Sequence, residues 1–198
     1  MKTSFEKFAG WGAVLAGLSG FLYSISFIGL RNELLSALFL MVGGLFSASA
    51  LTALYQHLRE TESGFALLGF LLSLSAALGS AIHGGYDLAN ELHPPAGMNT
   101  DLPNPVDPRG LLTFGMAGLG LFLISWLISQ ELRFPRGLAY LGYLSAVLLI
   151  VLYLGRLILV EATNLAIVVP ALLEGFIVNP IWYIWLGSNL MRSQSPSK

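Results

Sequence analysis

Residues 165–190 read LAIVVPALLEGFIVNPIWYIWLGSNL, and Glu174 is the one acidic or basic side chain among them. At about 1.5 Å per residue this stretch is longer, as a helix, than the roughly 30 Å hydrocarbon core of a bilayer. Five further stretches of the same character precede it: Phe8–Leu30, Leu34–Tyr55, Phe65–Asp87, Leu111–Ser129 and Leu138–Val160. Almost every charge lies between them. The chain is 55% hydrophobic and 11% charged, with a mean hydropathy of +0.72. A soluble domain carries about 25% charged residues. The expected fold is therefore an all-α integral membrane bundle of six transmembrane helices, forming a single domain over residues 1–198. The basic start and long apolar run at the N-terminus read as the first helix, because a signal peptide has a shorter apolar core of about 7–15 residues.

Basic residues set the expected orientation. Lys2, Lys7, Arg59, Arg133, Arg136, Arg192 and Lys198 fall on one side of the spans, and Arg31, Arg109 and Arg156 on the other. The positive-inside rule then predicts N-in/C-in. In that orientation Trp11, Trp126, Trp182 and Trp185 all fall near the cytoplasmic end, where interfacial rings prefer to sit. Small residues recur four apart, as in Gly12-Ala16-Gly20, Gly44-Ala48 and Ser73-Ala77-Ala81-Gly85. Such rows let helix backbones approach, within one bundle or across a homodimer seam. Asn90–Arg109 holds five of the nine prolines and reads as an extended outer loop. Three spans in each half would suit an inverted repeat, but the halves share no sequence match.

Ionisable groups at membrane depth carry the functional information, since each costs about 2.5–3.5 kcal/mol at a helix centre. Glu174 sits near mid-span, with Pro170 before it and Asn179-Pro180 after it. It reads as a proton, cation or ligand contact, or as a neutral carboxyl hydrogen-bonded to a neighbouring helix. His83 and Asp87 lie one turn apart on the third span, on one face. They read first as a structural pair. A metal would need a third ligand from Glu91, His93 or Glu174, so no metal site is assigned. Arg156 lies about a turn inside the outer end of the fifth span, with Glu161 five residues on. It either snorkels to headgroups or pairs inward with Asp87, Glu161 or Glu174. If inward, the third, fifth and sixth helices enclose an outward-facing polar pocket. Its expected ligand-binding residues are His83, Asp87, Arg156, Glu161, Glu174 and Asn179, with room left by Gly84 and Gly85. His57, beside Arg59, Glu60 and Glu62, reads as a solvated loop end.

The chain has no cysteine, which excludes disulfides, thiolate metal sites and thiol catalysis. No phosphate loop, nucleophile elbow, zincin motif or basic nucleic-acid stripe is present. The cofactor and any catalytic residues stay unknown. The leading expectation is a small amphipathic or lipid-like ligand, or a role as accessory subunit to a membrane-protein partner. The alternatives are an intramembrane enzyme using His83, Asp87 and Glu174, and a proton-coupled transporter using Glu174.

The opening FAGWGAVLAGLSGFLYSI and the closing VPALLEGFIVNPIWYIWLGSNL resemble the first and last segments of an uncharacterised bacterial family of six-helix membrane proteins, known as a domain of unknown function. The match would fall on Glu174, Trp182 or Trp185, and Gly187, and GLAYLGYLSAVLL has the same flavour. The resemblance implies a multi-pass protein of the bacterial inner (plasma) membrane, and no activity. The proline-rich loop has no counterpart in it.

Overall fold

The computed structural model describes residues 4–94, 111–159, 161 and 163–192. Among these the fold is all-helical, with six helices long and apolar enough to cross a membrane. We label them α1 (Ser4–Leu30), α2 (Glu33–Leu58), α3 (Ser63–Leu92), α4 (Thr113–Gln130), α5 (Arg136–Ile158) and α6 (Leu165–Met191). The α3 helix runs past the expected boundary. Asn90 and Glu91 are helical, and the helix stops only at Leu92, where Pro94 forces the preceding His93 out of helical geometry (φ −139°, ψ 74°). The rest of the expected loop, 95–109, lies outside the described residues.

Each helix packs chiefly on its chain neighbours, and the C-terminal half of α6 returns to α1. The six therefore form a closed ring. Its inside and outside have the reverse of a soluble protein's composition. Buried positions are largely small, as at Ala9, Ala13, Ala50, Ala53 and Ala146, while Leu, Ile and Phe side chains such as Phe8, Phe27, Ile82 and Leu165 stand exposed on the perimeter. Large exposed apolar surface of this kind marks contact with a partner or with lipid. Small inner residues bring the backbones together. At the seam of α3 and α4, a side chain on Gly120 would strike Ser73 and the carbonyl of Gly69, the latter at 3.0 Å.

The ring is filled at one end and hollow at the other. Leu54, Leu58, Leu127, Ile128, Leu138, Trp182 and Leu186 form a core at the end that carries the described chain termini. Trp182 is 1% exposed, so it does not belong to the interfacial belt expected of all four tryptophans. It faces the ring axis because α6 turns that side inward, and it packs edge-on against Tyr183 at 5.0 Å. Trp11, at 60% exposure, keeps the expected surface position.

At the same end, Glu6 of α1, His57 of α2 and Arg133 of the α4–α5 connection meet. Arg133 donates to Glu6 Oε1 at 3.0 Å and contacts His57 Nδ1 at 2.6 Å, and His57 Nε2 lies 3.1 Å from Glu6 Oε1. Glu6 is buried, and Phe134 packs edge-on to His57. The solvated-loop expectation for His57 is thereby corrected: the α4–α5 connection folds over it, a contact between residues 76 positions apart. Glu6→Gln is expected to destabilise the fold by about 2 kcal/mol, a figure discounted for the partly exposed Arg133. Unfolding of detergent-solubilised protein by added dodecyl sulfate measures it. An unchanged midpoint would show that the cluster holds nothing together.

Candidate functional site

In the hollow half the ring encloses a cavity of about 870 Å³. Three local departures from α-geometry border it. The chain takes a wider π-turn at Ile25–Leu30, at Leu111–Gly115 and at Glu174–Val178. Each supplies lining residues: Phe27 and Ile28, Thr113 and Phe114, Glu174 and Gly175. Such turns insert an extra residue and frequently occur at functional sites.

The turn in α6 has an identifiable cause. Pro180 has no N–H, and its ring excludes the carbonyl four residues earlier. The N–H of Asn179 instead bonds to the carbonyl of Glu174, five residues back. The helix continues through both prolines, with Pro170 inside it and Pro180 in the first turn after the bulge. The bulge rotates Glu174 into the ring. Glu174 is 5% exposed, and Ser145 Oγ of α5 donates to its Oε1 at 2.5 Å. Oε2 is buried without a hydrogen-bond partner. The Asn179 carboxamide approaches the same carboxyl without completing a bond to Oε2.

All six expected site residues, His83, Asp87, Arg156, Glu161, Glu174 and Asn179, line this one cavity. His83 Nε2 lies 3.0 Å from Asp87 Oδ2, as the one-turn spacing requires. Arg156 lies with its guanidinium 5.8 Å from the centre of the Phe114 ring, a cation–π distance. Glu161 accepts from Thr163 Oγ1 at 3.2 Å. Among the described residues no three His, Asp or Glu side chains come together closely enough to hold a metal ion.

Other lining residues were not singled out by sequence. Arg31 follows the π-turn of α1 in the left-handed region (φ 50°, ψ 43°), its N–H bonded to the carbonyl of Ser26, and it lines the cavity. Only its value as a topological charge was legible. Ser145 has no sequence signal at all: it is one serine in an apolar helix, and its role comes from facing Glu174. Tyr23, Tyr183 and Ser24, Ser36, Ser47 and Ser73 add hydroxyls to the walls. Several are already engaged with their own helix, Ser24 Oγ donating to the carbonyl of Gly20 and Ser47 Oγ to that of Gly43. Their lone pairs remain as acceptors. The floor carries Trp182, whose Nε1 is buried without a hydrogen-bond partner.

One expected feature moves. Gly84 does not leave room in the pocket. A Cβ there would lie 2.6 Å from the carbonyl oxygen of Ala37 and 3.0 Å from Met41 Cα, so Gly84 is a notch for α2. The helix face carrying His83 borders the cavity, and Gly84 is about 100° further round.

Compared with protein-family models, with curated proteins and with solved structures, the chain matches none.

Proposed function

We propose that this chain is an integral membrane protein of the plasma (bacterial inner) membrane, N-in/C-in, that binds a small amphipathic molecule in the cavity. The cavity would open on the outer side, since the packed core and the Glu6–His57–Arg133 cluster lie at the end bearing the termini. The exposed aliphatic perimeter supports the bilayer setting, and the seven-to-three distribution of basic residues supports the orientation.

The observation that carries the binding reading is convergence. Six polar or charged side chains drawn from α3, α5, α6 and the α5–α6 connection face one chamber, within walls that include Phe27, Leu40, Leu149 and Leu152. Its volume falls within the range of about 300–1,000 Å³ typical of ligand sites. A purely structural bundle has no reason to leave that space. Filling it would bring dispersion contacts to every wall.

The test uses the full chain purified in a maltoside detergent. Decyl amphiphiles with anionic, cationic and neutral heads are added, and native mass spectrometry counts the molecules retained. One bound amphiphile per chain is expected for at least one head. Ala117, which lines the cavity on α4, is replaced by Phe to fill the space. Retention should fall by about tenfold, equivalent to the loss of about 1.4 kcal/mol of binding. If no head is retained above the Ala117→Phe background, the binding reading is wrong.

A further inference from the structure

Resting on the binding reading, we infer that the ligand's polar head is an anion, of the phosphate or carboxylate class, and that Arg156 is its anchor. A hydrocarbon tail gains little by moving from a bilayer into an apolar chamber, because lipid tails are equally apolar. Selectivity therefore has to come from the head. Besides Glu174, the charged or titratable residues lining the cavity are Arg31, Arg156, His83, Asp87, Glu161, Tyr23 and Tyr183.

His83, Asp87 and Glu161 are each already engaged. Asp87 is held by His83 at 3.0 Å, and Glu161 accepts from Thr163. Arg156 is different. It is half-buried, lies within a helix long and apolar enough to cross a membrane, and makes no ion pair among the described residues. An intramembrane arginine normally pairs with an acid or a backbone carbonyl. Here its described contact is the face of Phe114. At 5.8 Å from the ring centre the guanidinium has a cation–π neighbour but no acid bonded to its N–H groups among the described residues. Its N–H edge is a fork matched to two oxygens of a phosphate or carboxylate. Arg31, also without an ion pair among the described residues, lines the same cavity and would add a second positive charge to the head's surroundings.

Glu174 does not contradict this polarity. It sits one π-turn before Pro180 on α6, bonded to Ser145 near the middle of α5, whereas Arg156 lies eleven positions further along α5. At about 1.5 Å per residue the two levels are about 16 Å apart along the helix. An anionic head at Arg156 would thus lie well away from the Glu174 carboxyl.

The experiment compares decyl phosphate, decyltrimethylammonium and inorganic phosphate against wild type, Arg156→Gln and Arg156→Lys, each purified in maltoside and read by native mass spectrometry. Wild type should retain decyl phosphate at least about tenfold more tightly than decyltrimethylammonium, the scale of a charge-assisted hydrogen bond. Arg156→Gln should erase that preference, and Arg156→Lys should restore part of it. Inorganic phosphate displacing decyl phosphate at equal concentration would support the anion site and assign it to a free solute. Failure to displace would support a lipid source. Equal retention of both heads by wild type, or an unchanged preference in Arg156→Gln, would overturn the anion assignment and leave the binding reading intact. Retention of no amphiphile at all would instead overturn the binding reading.

Discussion

Gly44→Leu is expected to destabilise the bundle by about 3 kcal/mol, at the upper end of the usual overpacking cost. The reason is the geometry of the α2–α3 seam, the most extensive in the ring. A Cβ on Gly44 would lie 2.8 Å from the amide nitrogen of Ala81 and 3.1 Å from its Cβ, and would collide with the carbonyl of Ala77. Two of these are backbone atoms and the third is an alanine Cβ, so no rotamer change relieves the contact. Gly84 makes the reciprocal notch in α3 against Ala37 and Met41 of α2. Two antiparallel helices with notches seven residues from the facing contact dock in one register only. In lipid this matters more than in water, because close packing, not apolar burial, drives association. The control is Gly29→Leu. Nothing lies within 4 Å of a Cβ at Gly29, and the change there should stay within about 0.5 kcal/mol. Dodecyl sulfate unfolding of both variants decides the matter. Equal midpoints would show that the seam yields and that the close approach is not what holds α2 to α3.

The seam also shows what sequence alone conveyed. The small-residue rows located the right helices, yet placed Gly85 in the row where Gly84 makes the contact. Gly85 meets only the flexible side chain of Met41, at 3.5 Å from its sulfur. A shift of one residue turns a helix face by about 100°, and apolar membrane helices carry no polar stripe to fix which face is inward. The same ambiguity hid Trp182. By contrast, His83, Asp87, Arg156 and Glu174 were legible because charge is rare in an apolar helix, so each instance demands an explanation that an apolar residue does not. Ser145 stayed invisible because a serine satisfies itself on its own helix, as Ser47 does, and its partner is set by three-dimensional proximity. The Glu6–His57–Arg133 cluster was missed for a related reason. Charges outside the spans are assumed solvated, and only the folding of the α4–α5 connection over α2 removes two of them from water.

Glu174→Met is expected to raise stability by about 1–2 kcal/mol while weakening ligand retention at least tenfold. The first half follows from what the carboxyl lacks. It is buried, accepts one hydrogen bond from Ser145, and leaves Oε2 unpartnered. Removing a buried polar group that is half satisfied recovers part of a penalty of about 1–3 kcal/mol. Methionine matches glutamate in length and fills irregular space. Ser145 loses its acceptor, but its hydroxyl is free to bond to the carbonyl of Leu141 in the manner of Ser188 to Ile184 and Ser24 to Gly20. The second half follows from retention of an unfavourable group at the centre of the chamber. A residue kept at a cost to the fold is a residue that something else requires, and stabilising changes at such positions characteristically lose function. Glu174→Gln separates the carboxyl's charge from its shape. Its carbonyl keeps the Ser145 bond, so a loss of retention there as large as in Glu174→Met would place the requirement on the ionisable carboxyl itself. The competing outcome is equally concrete. If Glu174→Met falls by more than about 2 kcal/mol in dodecyl sulfate unfolding, the Ser145–Glu174 bond is a structural tie between α5 and α6. The unpartnered oxygen would then carry no functional meaning.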